Sequence, residues 1–186
     1  MPAEFTVDTA EGLIRPARRV PSPNRDERPA GAVPELIVVH GISLPPGEFG
    51  GGEIEALFTN TLDWDAHPYF GEIRGLEVSS HLLIRRDGEL VQFVPFPERA
   101  WHCGPSCFRG RPRCNDFSIG IELEGEDELP YEDRQYGVLA AVVAALREAY
   151  PAITNREIAA HSDIAPGRKT DPGPAFDWLR LYDALI

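Results

Sequence analysis

A nearly continuous apolar run, ELIVVH at Glu35–His40, sets the first limit on how this chain folds. A run this short and this apolar is typical of a strand buried in the centre of a sheet. A second signal is SHLLIRRDGELVQFVP, in which Asp87-Gly88 separates two β-prone runs and predicts a hairpin. A third is FSIGIELEG, Phe117–Gly125, which alternates between apolar and polar positions. The chain is therefore expected to be built on a sheet.

The alternation in Phe117–Gly125 assigns its side chains to two faces, because successive residues of a strand point in opposite directions. Ile119, Ile121 and Leu123 share the apolar face. The other face carries Ser118, Gly120, Glu122 and Glu124.

Helical periodicity appears in Tyr131–Tyr150, where apolar residues recur at i, i+3, i+4, i+7 and i+11 and Pro151 ends the pattern. Shorter helices are predicted over Glu53–Thr59 and Ala175–Leu185. Strands mixed with helices indicate an α/β fold. We expect a single domain over residues 34–186, preceded by an extended surface arm over residues 1–33 that is rich in proline and charge.

Composition excludes several kinds of partner. The 186 residues include 18 basic and 30 acidic ones, giving a net charge of −12, which argues against binding nucleic acid or residing on an anionic membrane. No apolar stretch reaches the 18 residues of a membrane span, and the N-terminus lacks the apolar run of a signal peptide. We therefore expect a cytoplasmic protein.

The stretch HSDIAPGRKTDPG, residues 161–173, places chemically capable side chains on a loop stiffened by proline, which excludes a regular helix throughout. His161 and Asp171 of this loop, with His40 at the end of the apolar strand, form a set that zinc accepts with a fourth position open. Their spacing matches no short metal motif. A histidine that closes an apolar strand is by default a satisfied edge residue.

Two acidic residues and one lysine are candidates for the chemistry. Glu122 points away from the apolar face and can serve as base and acid if it faces a cleft; a solvated strand carboxylate is the alternative, and it suits Glu124. Lys169 is two residues from Asp171 and can donate to a developing oxyanion if Asp171 binds a metal. Without a metal it is a surface lysine, and Arg168 is expected to be a solvated neighbour.

Three cysteines, Cys103, Cys107 and Cys114, fall within twelve residues. Their odd number makes a disulfide framework unfavourable, and their spacing lacks the CxxC of a zinc knuckle. We interpret them as reduced, partly buried thiols.

Five stretches together carry a resemblance to a known family: VVHGISLPPGEFGG, SSHLLIRRDGELVQFVPF, RAWHCG, RCNDFSIGIELEG and HSDIAPGRKTDPGPAFDW. They resemble the AmpD-type zinc amidases, 1,6-anhydro-N-acetylmuramyl-L-alanine amidases of the amidase_2 and peptidoglycan recognition protein superfamily. The resemblance runs from about Arg18 to Trp178, and ISLPPGEFGG and RKTDPGP are its most specific parts.

By position, the resemblance makes His40, His161 and Asp171 the ligands of Zn²⁺. Glu122 becomes the catalytic acid and base, and Lys169 the group that stabilises the transition state. The family also implies a mixed β-sheet flanked by helices, with the zinc in a surface groove.

The reaction implied by the resemblance is hydrolysis of the amide between the lactyl group of anhydro-N-acetylmuramic acid and L-alanine. The substrate is then a small muropeptide, and the setting is cytoplasmic recycling of cell-wall fragments, linked in some bacteria to β-lactamase induction. We expect a monomer without an obligate protein partner.

For the substrate, we expect Arg113 to bind a carboxylate of the stem peptide, because the guanidinium fork suits carboxylates. His81, Trp101 and His102 are expected to line the groove. Two positions depart from the family pattern: Gly41 replaces the usual Asn, and Glu77 stands where a basic residue is common.

Two other functions compete with this one. Related proteins bind peptidoglycan without cutting it, but they have usually lost a zinc ligand, whereas all three are present in this sequence. An amidase acting on the intact wall outside the cell would need export, against which the missing signal and the charge both argue.

Overall fold

The computed structural model describes residues 4–186 of the chain. The β-strands are β1 (Thr6–Asp8), β2 (Leu13–Arg15), β3 (Arg18–Arg19), β4 (Arg25–Glu27), β5 (Leu36–Ile42), β6 (Leu82–Ile84), β7 (Leu90–Gln92), β8 (Glu98–Ala100), β9 (Cys107–Phe108), β10 (Arg111–Pro112), β11 (Ser118–Glu124) and β12 (Ile158–Ala160). The α-helices are α1 (Glu53–Phe58), α2 (Pro68–Glu72), α3 (Asp133–Ala149), α4 (His161–Ile164) and α5 (Trp178–Asp183). Single 3₁₀ turns lie at Cys114–Asp116 and Asn155–Glu157.

The central sheet has six strands in the order β12-β5-β11-β6-β7-β3. Strands β12, β5, β11 and β6 are parallel to one another, and β7 pairs antiparallel with β6. The sheet is therefore mixed and flanked by helices, which confirms the predicted fold class. The hairpin predicted at Asp87-Gly88 is present between β6 and β7.

The apolar alternation of the two central strands decides what covers each face of the sheet. The face of β5 and β11 that carries Ile37, Val39 and Ile121 packs in one cluster with the apolar stripe of α3. Leu36 and Val38, on the other face of β5, pack in a second cluster with Cys103, Phe117 and Ile164. Because His40 follows Leu36 and Val38 by two-residue steps, it belongs to this second face.

The strand ends differ from the sequence expectation in one respect that matters for the site. Strand β5 continues through Gly41 to Ile42, so His40 lies within the strand rather than closing it. Every residue of β11 is buried. Glu124 is only 2 % exposed, so the expectation of a solvated carboxylate there is wrong; its carboxylate accepts from the backbone N–H groups of Gly50 and Arg86.

The N-terminal segment is built into the fold over most of its described length. Strands β1 and β2 form a hairpin whose Ile14 is buried, β3 is the edge strand of the central sheet, and β4 pairs with β8. The proline-rich arm expected on the surface therefore contributes both sheet pairing and core contacts. Residues 1–3 of that arm lie outside the described part.

No helix within residues 4–186 combines the length and the apolar character that crossing a bilayer requires.

Candidate active site

The strand register brings three chemically capable residues to one level of the sheet. Glu122 of β11 is the direct partner of His40 of β5, so the two side chains lie on the same face. On the other side of β5, Ala160 pairs with Val39, which places His161 beside His40. The order His161, His40, Glu122 thus follows three adjacent parallel strands.

The loop after α4 returns a carboxylate to the two histidines. Asp171 Oδ2 lies 3.1 Å from His161 Nδ1 and 3.2 Å from His40 Nδ1. The two Nδ1 atoms are 2.9 Å apart. Three donor atoms from three elements therefore converge in a nearly equilateral triangle.

The loop 161–173 begins with the short helix α4, a regular turn that the sequence did not predict, and the prolines of the loop follow that helix.

A second group of potential metal ligands shares His40. His40 Nε2 lies 2.9 Å from His102 Nδ1, which is 3.3 Å from the sulfur of Cys103. His40 therefore offers one ring nitrogen to each group, and all donor atoms within a group lie within 4.8 Å of one another.

These residues open onto a cleft of about 710 Å³. Its polar end is formed by His40, Glu122, His161, Lys169 and Asp171, with Glu126, Asp127 and Glu128 at the rim. Its other wall is largely apolar and consists of Leu44, Leu57, Phe58, Tyr69, Ile73, Leu76, Val78 and Trp101. The cleft therefore combines a polar floor with an apolar wall, and it can receive a ligand that has both polar and apolar parts.

Burial controls the protonation of the acidic groups. Desolvation, reinforced by the charge of Asp171, raises the pKa of Glu122 well above its usual value, and Lys169 offsets this only in part. Burial also opposes the charge of Asp171, but hydrogen bonds from His161 and His40 outweigh it and hold its pKa far below the usual range. Two neighbouring carboxyls thus differ: Asp171 stays ionised, while Glu122 can hold a proton.

His40 and His102 are kept neutral by the same desolvation. Burial lowers the pKa of His40 to about 4, even though Asp171 acts in the opposite direction. Burial, with the neighbouring charge of His40, lowers the pKa of His102 well below its ordinary value. Neutral imidazoles keep a lone pair, which ligation requires.

Glu122 and Lys169 each present an unsatisfied group. The Oε2 atom of Glu122 is buried and has no hydrogen-bond partner among residues 4–186. The ammonium of Lys169 lines the cleft and forms no ion pair within the described part of the chain. Buried polar atoms are rarely left unpaired, so the Glu122 oxygen is free for a bound molecule. Lys169 is exposed, and its ammonium is accessible to the same molecule.

Two expected substrate contacts are not found in the cleft. His81 is fully buried: its Nδ1 accepts from the Gly120 N–H and its Nε2 lies 3.1 Å from the Glu98 carbonyl, so it supports β11 and does not line the groove. Arg113 has a positive φ of 60°, its side chain is 79 % exposed, and it pairs with Asp116 outside the cleft. Trp101 and His102 do line the cleft, as expected.

The two departures from the family pattern have distinct surroundings. A Cβ at Gly41 would lie 2.3 Å from the hydroxyl of Tyr131, which donates to the Pro172 carbonyl next to Asp171. Gly41 thus leaves room for a contact that connects the loop 161–173 to the segment between β11 and α3. Glu77 is exposed, between two residues of the apolar wall.

The sequence did not predict two contacts of the loop 161–173. Arg168 is exposed as expected, yet its guanidinium donates to the backbone carbonyls of Cys103 and Pro105. His161 Nε2 lies 3.1 Å from the same Cys103 carbonyl. No sequence signal marks backbone carbonyls as partners, because any residue supplies one.

Comparison with known proteins gives one consistent result. Residues 30–174 match the family model Amidase_2, described as N-acetylmuramoyl-L-alanine amidase. The chain is 64 % identical over 176 residues to the 1,6-anhydro-N-acetylmuramyl-L-alanine amidase AmpD of Citrobacter freundii, covering 95 % of this chain and 93 % of that protein.

Solved structures agree with the sequence match. A crystal structure of a selenomethionine AmpD derivative superposes with a TM-score of 0.93 at 60 % identity, covering 97 % of this chain and 99 % of that one. The amidase AmiD from Escherichia coli, solved with anhydro-N-acetylmuramic acid-L-Ala-D-gamma-Glu-L-Lys, superposes at 0.60 with 29 % identity, covering 98 % of this chain and 66 % of AmiD. The chain therefore belongs to the N-acetylmuramoyl-L-alanine amidase family, among its AmpD-type members.

Proposed function

We propose that the protein is a zinc-dependent amidase that hydrolyses the bond between the lactyl group and L-alanine in 1,6-anhydro-muropeptides. The observation that carries this proposal is the convergence of three donor atoms beside an unpartnered, buried carboxylate oxygen in an open cleft. The near full-length likeness to AmpD proteins supports the choice of substrate.

The first support for zinc is the size of the donor triangle. Nitrogen and oxygen ligands about 2.0–2.2 Å from a tetrahedral zinc stand about 3.3 Å from one another. The three separations among His40, His161 and Asp171 are 2.9, 3.1 and 3.2 Å. These three residues could therefore hold a small tetrahedral cation with little movement.

The second support is the orientation of His161. Its Nε2 lies 3.1 Å from the Cys103 carbonyl, which can only accept. The carbonyl can therefore hold the ring proton on Nε2 when a metal is bound, which would leave Nδ1 free to ligate. A backbone carbonyl that fixes the tautomer in this way is a usual partner of a zinc-bound histidine.

The alternative group, His40 with His102 and Cys103, is less suited to a catalytic metal. Cys103 is fully buried and does not line the cleft. A metal needs the thiolate, yet burial raises the pKa of the Cys103 thiol far above its usual value. We therefore assign the zinc to His40, His161 and Asp171.

Glu122 and Lys169 then have separate roles in the reaction. When bound, zinc supplies Lewis acidity at the open position of the site. Glu122 takes a proton from the attacking water and returns it to the leaving amine of L-alanine, for which its raised pKa suits it. The ammonium of Lys169 donates to the carbonyl oxygen as negative charge develops there.

The shape of the cleft supports a muropeptide. Its apolar wall, which includes Tyr69, Leu76 and Trp101, can pack against the sugar ring and lactyl group, while the polar rim can receive the peptide. We place the reaction in cytoplasmic cell-wall recycling, performed by a monomer that needs no protein partner.

A substrate comparison separates the proposal from its rivals. The zinc-loaded protein is incubated with a soluble 1,6-anhydro-muropeptide and, in parallel, with whole sacculi, and released stem peptide is quantified. We expect release from the soluble substrate. Release only from sacculi would favour a wall amidase, and binding without release would favour a recognition module.

Variants connect that activity to the site. His161→Ala should lose both zinc and activity, because a two-ligand site binds far more weakly. His67→Ala is the matched control: His67 caps α2 through the Tyr69 N–H and does not line the cleft, so zinc and activity should remain. Cys103→Ala should also retain one zinc per chain; loss of zinc there would support the alternative group.

A further inference from the structure

His102 lies behind the proposed zinc ligand His40 rather than beside the substrate. His40 Nε2 is 2.9 Å from His102 Nδ1, and the two rings meet edge to face, with centroids 5.0 Å apart and planes at 82°. The opposite nitrogen of His102, Nε2, is 3.2 Å from the hydroxyl of Ser118. Only 8 % of His102 is exposed. The contact with His40 is therefore its closest polar interaction.

The direction of this hydrogen bond decides whether His40 can bind a metal. A neutral imidazole carries one ring proton. If that proton is on His40 Nε2, it is donated to His102, and His40 Nδ1 keeps the lone pair that faces the triangle. If His102 donates instead, the proton of His40 lies on Nδ1 and blocks ligation.

Ligation of a metal through His40 Nδ1 requires the first direction, and the surroundings of His102 are compatible with it. The Cys103 sulfur lies 3.3 Å from His102 Nδ1 and 3.7 Å from the Ser118 hydroxyl. His102 Nε2–H can donate to the Ser118 hydroxyl, and that hydroxyl can donate to the Cys103 sulfur. His102 Nδ1 is then left to accept from His40 Nε2.

The packing around His102 holds its ring in place. A Cβ at Gly120 would lie 2.6 Å from two of its ring atoms, so that position on β11 admits only glycine without displacing the ring. The side-chain oxygen of Asn115 accepts from the backbone N–H groups of both His102 and Cys103. Gly120 thus restrains the His102 ring, and Asn115 restrains the His102 backbone.

We propose that His102 is a positioning residue that accepts the Nε2 proton of His40 and so presents the His40 Nδ1 lone pair to the metal. The proposal rests on the proposed function, in which His40 binds zinc. It assigns no substrate contact to His102, although one edge of the residue reaches the cleft. Outer partners of zinc-bound histidines contribute about 10- to 100-fold to metal affinity.

Two substitutions test the hydrogen-bond acceptor of His102 separately from the bulk of its side chain. His102→Asn places a carbonyl oxygen near the position of Nδ1 and keeps an acceptor, so zinc affinity should stay within about threefold of wild type. His102→Leu fills similar space without an acceptor, so zinc affinity should fall about 10- to 100-fold. Affinity is measured by competition with a chromophoric chelator, and thermal unfolding of the zinc-free variants checks that both remain folded.

A second readout does not depend on zinc. Without zinc, Asp171 favours a proton on His40 Nδ1 and His102 favours one on Nε2. In ¹⁵N-histidine NMR of the zinc-free protein, we expect the fraction of His40 protonated on Nε2 to fall in His102→Leu and to stay near the wild-type fraction in His102→Asn. An unchanged fraction in His102→Leu would overturn the proposal. So would unchanged zinc affinity in His102→Leu with a raised KM, which would make His102 a substrate contact.

The two readouts separate this proposal from the proposed function. A wild-type protein that binds no zinc, but in which the fraction of His40 protonated on Nε2 depends on an acceptor at position 102, would refute the zinc site and leave the positioning role intact. Loss of zinc in both His102→Asn and Cys103→Ala would contradict the positioning role, since it would make His102 and Cys103 ligands themselves.

Discussion

At the scale of single residues, Glu122 combines burial with an unpaired carboxylate oxygen. Desolvation raises its pKa, and the adjacent Asp171 adds to that effect. A dication bound beside it would lower the same pKa. These opposing influences suit a group that must take up a proton and give it back within one turnover.

We predict that Glu122→Gln keeps its fold and its zinc but loses most of its turnover, because an amide cannot accept the proton of water. General acid–base groups contribute about 10²–10⁴-fold. The measurement is kcat on a soluble anhydro-muropeptide with metal content determined in parallel. Wild-type kcat in this variant would remove Glu122 from the chemistry.

Glu124 is the informative comparison for that variant, since it is the nearest acidic residue on the same strand face. Its carboxylate already accepts from two backbone N–H groups and pairs with Arg85. Glu124→Gln should therefore lower stability more than turnover. A larger loss of turnover in Glu124→Gln than in Glu122→Gln would reverse the assignment.

Lys169 is the only lysine in the chain, which permits an unusually direct test of its charge. Because the ground-state carbonyl carries little charge, Lys169→Ala should lower kcat and kcat/KM together, by about 10²–10³-fold, with little change in KM. Amine acetylation of the wild-type side chain removes the same charge and should have the same effect.

The matched control for acetylation is the Lys169→Ala protein itself, in which only the N-terminal amine can react. Its residual activity should not change on treatment. A raised KM with unchanged kcat in Lys169→Ala would instead indicate that Lys169 binds a substrate carboxylate.

At the scale of elements, the site is produced by the register of three parallel strands. The sequence predicted β5, β11 and α3 with their inward faces, because apolar alternation and helical periodicity are local signals. The candidates His40, Glu122, His161, Lys169 and Asp171 do converge on one cleft. Their convergence could not be derived from spacing, since it depends on strand order.

The errors made from sequence also have a structural cause. The partners of Glu124 are Gly50 and Arg86, and those of His81 include Arg28 and Gly120, so segments other than their own strands cover both side chains. Glu124 and His81 therefore become buried where a local pattern suggests an exposed strand face. Arg113 leaves the cleft because its left-handed backbone turns the side chain toward Asp116.

Gly41 and Tyr131 form a pair that should be energetically coupled. Gly41→Ala should destabilise the protein, because the new Cβ displaces the Tyr131 hydroxyl from the Pro172 carbonyl. Tyr131→Phe alone should cost about 1–3 kcal/mol, since a carbonyl loses its partner. In the double variant, Gly41→Ala should cost clearly less than in wild type, as measured by urea unfolding. Strict additivity would contradict this account of the glycine.

At the scale of the whole molecule, Arg28 links the N-terminal segment to the strand that carries Glu122. Its buried guanidinium donates to the backbone carbonyls of Phe96, Asn115 and Ser118. Burial lowers the pKa of Arg28 to about 10, yet the group remains charged at neutral pH. The arm is thus part of the support of the active site.

Buried neutral histidines should make the zinc-free protein sensitive to acid. Burial lowers the pKa of His40 to about 4 and that of His81 to about 3, and it lowers the pKa of His102 well below its ordinary value. Between these values and the unfolded value of about 6.5, the unfolded chain binds more protons, so the free energy of unfolding falls as pH decreases. Each such histidine contributes a slope of up to about 1.4 kcal/mol per pH unit.

Glu122 acts in the opposite sense, because its raised pKa lets the folded state bind a proton that the unfolded state releases. Urea unfolding at pH 7.5 and 5.0 should therefore show a net loss of stability in acid, and Glu122→Gln should steepen it. A protein more stable at pH 5.0 than at pH 7.5 would contradict the burial of these neutral imidazoles.

Zinc at His40, His161 and Asp171 should enable this fold to hydrolyse a muropeptide amide. The most direct measurement is the release of stem peptide from a 1,6-anhydro-muropeptide by metal-free protein titrated with zinc. We predict no release without metal, a rise that saturates at one equivalent, and no rise in His161→Ala. Full activity of the metal-free protein, or no activity after reloading with zinc, would show that zinc at these residues does not drive the reaction.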